Sequence, residues 1–222
     1  MPITFCNNDF EYCSQLYQIQ TSTTDTVYRC MNFLASYFFN AAAIKRYKFD
    51  NLSIDKLVNL GNTFHNNKFT ATRYEIYEAR AFTGIISKGI VHNQEANYNI
   101  FPSEIISALK LLRETINSSI CYFIAVTSEN IPFPYVVSKN NILIDIYNNY
   151  RYQGIQGICI FDEQNAADQL TDEFFRLWNS KNTINDKDVI SDFLTSSIKQ
   201  WELHEKIDLS IWPQMLSSEI GN

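Results

Sequence analysis

Glycine and proline are scarce in this chain, with 6 and 5 residues respectively among 222. A phosphate-binding loop of the GxxxxGK[ST] type is absent, and the glycine pair at Gly84 and Gly89 lacks its spacing. No Pro/Gly-rich stretch marks a flexible linker. The sequence therefore excludes a P-loop nucleotide hydrolase and predicts a single domain, 1–222.

Metal-ligating and nucleophilic motifs are also missing. The three histidines, His65, His92 and His204, are scattered, and none of the 5 cysteines form a CxxC pair. A structural zinc site needs four clustered ligands, and a hydrolase nucleophile elbow needs GxSxG. We therefore predict no metal, no cofactor and no catalytic residue, and we lean towards a protein that is not an enzyme.

Long apolar runs are absent as well. The longest uncharged run, 30–44, contains polar residues and is shorter than the ~20 apolar residues that span a bilayer. The first residues lack the basic and apolar regions of a secretory signal. An odd number of unpaired cysteines fits a reducing compartment. We expect a cytoplasmic protein with no membrane partner.

Helical periodicity dominates the first part of the chain. Apolar residues from Val27 to Ala42 recur every three or four positions, which predicts a helix over about 25–46 after the capping candidates 21–25. Shorter helices are predicted over 9–20 and over 53–60. The segment 72–88 is compatible with a helix or a strand. We interpret 1–70 as a helical N-terminal subregion.

The second part alternates helices with short strands. We predict a helix from Pro102 to about residue 116, strands at 120–126 and 157–161, and a helical end at 186–204. Two strands over 135–147 are joined at Lys139-Asn140-Asn141, because Asn tolerates the left-handed conformation of tight turns. Residues 71–206 would form the core and 207–222 a tail. The fold class is α+β, or α/β, with a mixed sheet of four to five strands flanked by helices.

A helix capped by Asp162 follows the last of these strands. Its apolar positions repeat strictly every four residues, at Ala166, Leu170, Phe174 and Trp178. We expect Phe174 and Trp178 to be largely buried against the strands at 120–126 and 157–161.

Basic residues interleaved with aromatic ones form one candidate site for an anion or nucleic acid. Its members are Lys45, Arg46, Lys48, Arg73, Arg80 and Lys88. The acidic pI of about 5.1 disfavours a nucleic-acid partner, and an ordinary solvated surface explains the same pattern.

A second candidate is the loop containing Arg151, Gly154 and Gly157, which partly matches the (Arg/Gln)-x-x-Gly-x-(Gly/Ala) pyrophosphate loop of acyltransferases. That loop opens a helix, whereas here a strand-like GICIF follows, so a turn between strands is the alternative. A metal-dependent nuclease would need (Asp/Glu)-x-Lys, and its nearest approximation is Glu78-Ala79-Arg80. An acyltransferase or nuclease with an unrecognised site remains an open alternative.

The stretch from Ile142 to Lys181, in which a strand leads into a helix with Phe174 and Phe175 before Trp178, resembles the C-terminal part of a phospholipase D-like half-domain. The resemblance covers about residues 104–180 at most. Active members of that family carry HxKxxxxD. The one HxK here, His204-Glu205-Lys206, is followed by Ile211 where the family has Asp. The resemblance therefore implies a catalytically silent version, of the kind found in sensory or dimerisation domains of prokaryotic regulators.

The expected function is a non-catalytic regulatory, sensing or interaction module with a protein partner or self-association, and with room for a small-molecule ligand. The alternative is an immunity or anti-defence protein. Residues 162–222 hold twelve acidic and five basic side chains, which would suit a basic partner surface.

Overall fold

A computed structural model describes residues 3–6, 14, 23–31, 54–56, 58–59, 71–80, 82–83, 90–93, 96–99, 102–146 and 156–203. Most of the predicted helices 9–20 and 25–46, the loop 150–155 and the tail 207–222 lie outside these residues.

The fold is α+β, as the sequence predicted. Its main element, within the described residues, is one mixed sheet of eight strands. The strands are β1 Ile3–Cys6, β2 Val27–Met31, β3 Arg73–Glu78, β6 Tyr122–Thr127, β7 Tyr135–Ser138, β8 Asn141–Ile146, β9 Gln156–Asp162 and β10 Thr183–Ile184. They lie side by side in the order β1-β9-β8-β7-β2-β3-β6-β10. A separate antiparallel pair is formed by β4 Ile90–Asn93 and β5 Ala96–Asn99.

Three parallel strands form the centre of this sheet, since β3 pairs in parallel with β2 on one side and β6 on the other. The remaining pairs are antiparallel. The register places Tyr28, Tyr74 and Phe123 side by side on neighbouring strands. The residues before and after each of them point to the opposite face of the sheet. We call the side that carries these three rings the aromatic face and the opposite side the network face.

Helix α2, Gln164–Trp178, covers the aromatic face. Its Phe174 is fully buried in a cluster with Cys30, Ile76 and Ala125 of the central strands. Trp178 is half-buried and packs against the same cluster. The expected burial is therefore complete for Phe174 and partial for Trp178, and their cluster includes Ala125 of β6. The expected contact with the strand at 157–161 stays a prediction.

Helices α1, Pro102–Ser118, and α3, Lys187–Glu202, pack against each other and against β6. Phe82 links this layer to the network face, because its ring contacts Tyr77 of β3 at 5.9 Å and Phe193 of α3 at 6.4 Å. No helix in the described part of the chain is long and apolar enough to cross a membrane.

Two parts of the predicted helical N-terminal subregion are strands rather than helices. Residues 3–6 form β1, and residues 27–31, expected inside a helix, form the central strand β2. The spacing of Val27 and Met31 fits the period of a helix and that of a strand. The segment forms a strand because it pairs with β3 on one side and with β7 on the other. The main sheet has eight strands rather than four to five, because β1, β2 and β10 were not expected as strands. Residues 54–56 and 58–59 are helical, as predicted for 53–60.

The hairpin between β7 and β8 is confirmed, with a different residue in the left-handed conformation. Lys139 has a φ of 55°, whereas an Asn was expected there. The neighbouring Asn140 is engaged elsewhere, since its side chain donates to the Asp162 carboxylate and its carbonyl accepts from the Glu163 N–H. Glu163, rather than Asp162, caps α2 by accepting from the Asn165 and Ala166 N–H groups.

Candidate functional site

A buried cluster of charged and phenolic side chains lies on the network face of the three parallel strands. Arg29 comes from β2, Arg73, Glu75 and Tyr77 come from β3, and Tyr122 comes from β6. Alternation along a strand brings them to one face, and the register sets Arg29 opposite Glu75 and Arg73 opposite Tyr122. All five side chains are buried.

Glu75 is the acceptor at the centre of this cluster. Its Oε1 accepts from Arg29 Nη1 at 3.1 Å, and its Oε2 accepts from the Tyr122 hydroxyl at 2.6 Å and from the Tyr77 hydroxyl. One carboxylate therefore joins three parallel strands by hydrogen bonds. We call these five residues the Glu75 network.

The pKa shifts show which groups stay charged. Burial raises the pKa of Glu75, but the Arg29 charge, the hydrogen bonds from both tyrosines and the Arg73 charge together hold it below the usual value. Burial lowers the pKa of Arg29, but the Glu75 charge, the two tyrosines and the hydrogen bond to Glu75 together raise it above the usual value. Burial and the Glu75 charge raise the pKa of both phenols well above 10. Burial and the nearby Arg29 lower the pKa of Arg73 to about 10, despite Glu75.

These shifts leave the Glu75 network without a group that titrates near neutral pH. General acid–base catalysis works best with a pKa near the operating pH, and here the carboxylate stays ionised and the phenols stay protonated. Cys30 on the other face is also protonated, because burial raises its pKa to about 12. In the described residues, no three His, Cys, Asp or Glu side chains are placed to hold a metal ion. The arrangement suits a structural connection between strands.

The aromatic face carries the second candidate. The rings of Tyr28 and Tyr74 stack at 5.7 Å and 19°, and those of Tyr74 and Phe123 stack at 4.8 Å and 14°. Three near-parallel rings thus run across β2, β3 and β6; we call them the aromatic stack. From α2, the Phe175 ring meets Tyr28 edge-on at 5.2 Å and the Trp178 ring meets Tyr74 edge-on at 5.5 Å.

The aromatic stack reaches solvent at Phe123, and a second exposed ring borders its other end. Phe123 on β6 is 40 % exposed, and Phe175, which contacts Tyr28, is 38 % exposed. Ile120, three residues before Phe123, is 90 % exposed. Single exposed apolar side chains are normal on a protein surface, whereas a large contiguous apolar patch marks an interaction site.

The predicted site residues lie in different places. Arg73 is buried in the Glu75 network, and Arg80 is exposed just beyond β3. Gly157 lies within β9, paired with Phe5 on one side and Ile146 on the other, rather than in a loop. The other candidates, Lys45, Arg46, Lys48, Lys88, Arg151 and Gly154, lie outside the described residues, so binding by either group stays a prediction.

Sequence reasoning missed both clusters. The signal for the Glu75 network was present in Arg73-Tyr74-Glu75-Ile76-Tyr77, where the polar side chains of Arg73, Glu75 and Tyr77 recur at every second position. The aromatic stack could not be found without the register, because Tyr28 was placed in a predicted helix.

No protein-family model matches the chain, and no curated protein matches it. Among solved structures, it is similar to TrmBL2, an archaeal chromatin protein, with 7% identity over 80% of this chain and a TM-score of 0.45. It is also similar to a phosphatidylserine synthase from Haemophilus influenzae Rd KW20, with 12% identity over 93% of this chain and a TM-score of 0.42. The chain spans about half of each of these two structures, 52% and 46%. Both TM-scores are below 0.5, so neither similarity carries an argument about the family or the function of this chain.

Proposed function

We propose that this chain is a non-catalytic interaction module that binds a protein partner through the aromatic stack and Phe175. The observation that carries the proposal is the exposure of Phe123 and Phe175 at the two ends of one packed series of rings. Aromatic side chains are enriched in the centres of protein interfaces, where they bury much area at a low entropic cost.

Rigidity supports this interpretation. Tyr74 is held between two stacked rings and the edge of Trp178, and Tyr28 contacts both Phe174 and Phe175. Side chains that are already ordered lose little conformational freedom on binding, which favours affinity. The Glu75 network adds to this by fixing the three strands from the opposite face.

Capture experiments with single variants test the proposal. The purified chain is immobilised, exposed to an extract of its source cells and compared with Phe123→Ser and Phe175→Ser. The matched control is Phe133→Ser, since Phe133 is 37 % exposed and its ring contacts Tyr135 rather than the aromatic stack. Native mass spectrometry of the same four proteins detects self-association.

We expect wild type and Phe133→Ser to retain the same partner or the same oligomer, and the other two variants to lose it by at least about tenfold. Circular dichroism checks that all four are folded. Equal capture or equal association by all four proteins would overturn the proposal.

We further propose that the chain is a silent relative of the phospholipase D-like half-domain. The absence of HxKxxxxD from the sequence supports the loss of activity, and the order of strand, hairpin, strand and helix over 122–178 fits the resemblance. An assay with bis(p-nitrophenyl) phosphate, with and without divalent metal ions, should show no turnover above the buffer rate. Turnover that co-purifies with the chain would contradict this.

A further inference from the structure

Helix α2 carries an exposed stripe on the side that faces away from the sheet. Asp168, Asp172 and Phe175 are exposed, and steps of four and three residues separate them. Side chains at these spacings lie one above another on one face of a helix. Phe174, by contrast, is fully buried on the side that packs on the sheet. We call Asp168, Asp172 and Phe175 the α2 stripe.

The two aspartates of the α2 stripe have no cationic partner in the part of the chain that the structure describes. Neither Asp168 nor Asp172 forms an ion pair there. Asp168 accepts a hydrogen bond from the uncharged Gln164 amide at 2.7 Å. Both carboxylates are therefore available to a partner at the surface beside Phe175.

Arg176 is the one basic residue of α2, and it does not neutralise the α2 stripe. Its Nε and Nη2 donate to the two carboxylate oxygens of Glu173 at 2.7 and 2.8 Å, and its Nη1 donates to Glu129 at 2.9 Å. Two carboxylates thus share one guanidinium group, and the three side chains together carry a net charge of −1. With Asp168 and Asp172, the surface of α2 and its border hold a net charge of −3 around Phe175.

An exposed ring beside two carboxylates limits the chemistry of a partner. A purely apolar partner would remove water from Asp168 and Asp172 without supplying a counter-charge, which costs free energy. An acidic partner would be repelled. Basic side chains offset the lost hydration of the carboxylates, and their aliphatic stems cover apolar surface such as the Phe175 ring.

We propose that the outer face of α2 binds a basic helix of a partner protein, whose cationic side chains pair with Asp168 and Asp172 while an apolar side chain packs on Phe175. Steps of four and three residues are the spacing of the seam between two paired helices, so a helix that lies along α2 can meet all three side chains at once. This inference rests on the proposed function, extends that surface from Phe175 along α2 and names the chemistry of the partner.

The probe is a fluorescein-labelled, alanine-rich peptide of about 20 residues, long enough to form a helix. It carries a central leucine with two arginines on each side, at steps of three and then four residues, so that either direction along α2 matches the stripe. Two matched peptides carry glutamine or glutamate in place of the arginines. Fluorescence anisotropy measures the affinity of the full chain for each peptide at low and at high salt.

We expect the arginine peptide to bind about three- to tenfold more tightly than the glutamine peptide at low salt, and the glutamate peptide to bind most weakly. High salt should reduce the preference for arginine, because exposed charges are screened. Equal affinities of the arginine and glutamine peptides, or no binding of the arginine peptide at millimolar concentration, would overturn the inference.

Matched variants locate the binding. The double variant Asp168→Asn/Asp172→Asn should remove the preference for arginine, and Phe175→Ser should weaken the arginine and glutamine peptides alike. The control is Asp188→Asn/Asp192→Asn, which removes two exposed charges from α3 and should keep the preference. Equal loss of the preference in both double variants would mean that only the total charge attracts the peptide, and it would contradict a site on α2.

The other occupant is a second copy of the chain. Amide NMR shifts of Asp172 and Phe175 that grow with protein concentration, without peptide, would assign the outer face of α2 to self-association and overturn the basic helix. Capture that is lost in Phe123→Ser and Phe175→Ser but kept in Asp168→Asn/Asp172→Asn would leave the proposed function standing while this inference fails. Equal capture by all variants, with a peptide preference that depends on the aspartates, would contradict the proposed function alone.

Discussion

Glu75 is a residue whose substitution is expected to lower the stability strongly. It is a buried carboxylate that accepts from Arg29, Tyr77 and Tyr122. Glu75→Gln removes the charge that faces two guanidinium groups, and loss of one member of a buried ion pair costs about 3–5 kcal/mol. We expect that decrease in the free energy of unfolding, measured by urea titration.

The control for this substitution is Glu173→Gln. Glu173 bonds Arg176 at the surface, where the pair is 43 % and 55 % exposed, and such pairs contribute at most about 1 kcal/mol. Equal effects of the two substitutions would show that Glu75 is not the centre of the network.

The lowered pKa of Glu75 also gives a pH dependence. A carboxyl group whose pKa is lower in the folded than in the unfolded chain stabilises fully above its unfolded value, near 4.5, and loses this as pH falls through the folded value. The difference in stability between wild type and Glu75→Gln should therefore be constant from pH 7 to about 5 and shrink below 4.5. Urea titrations at pH 7, 5, 4 and 3 measure this, and a difference that grows towards acid would contradict the assignment.

At the scale of elements, α2 is fixed to the sheet mainly by Phe174. This side chain is fully buried against β2 and β6, so Phe174→Ala should cost about 3–5 kcal/mol. Trp178 is half-buried, so Trp178→Ala should cost less than Phe174→Ala. Thermal or urea unfolding gives the ranking, and Phe133→Ala, at an exposed ring, serves as the control. If Trp178→Ala were more destabilising than Phe174→Ala, the main contact between α2 and the sheet would be made by Trp178 at the end of the helix.

Helix α3 depends on its N-terminal cap. The Asp186 carboxylate accepts from the Asp188 and Val189 N–H groups, and loss of such a cap costs about 0.5–2 kcal/mol. We expect this loss for Asp186→Ala, and no comparable loss for Asp192→Ala, an exposed aspartate of the same helix. The midpoints of urea unfolding of the two variants and the wild type measure this difference in stability.

The elements that could be predicted from the sequence are those with local signals. The helices from Pro102 and after Asp162 show a clear helical period, and the β7–β8 hairpin is marked by its turn residues. β2 could not be predicted, because its partners β3 and β7 are more than 40 and 100 residues away and only they exclude a helix. The aromatic stack depends on the register of β2 with β3, so it could not be predicted from the sequence either.

At the scale of the whole molecule, the first and the later strands share one sheet. β1 pairs with β9, and β2 lies between β3 and β7. We therefore expect residues 1–70 to unfold together with the rest. Far-UV circular dichroism and tryptophan fluorescence, which reports on Trp178, Trp201 and Trp212, should give coincident urea transitions. Two separated transitions would show that the front of the chain is a domain of its own.

The central position of β2 has a consequence for synthesis on the ribosome. Its antiparallel neighbour β7 follows roughly 100 residues later, which at about 5–20 residues per second is a delay of about 5–20 s. During that interval β2 and β3 can pair with each other, while the opposite edge of β2 and its buried residues have no neighbour. The nascent chain should thus be most prone to aggregation, and most dependent on chaperones, before the β7–β8 hairpin emerges.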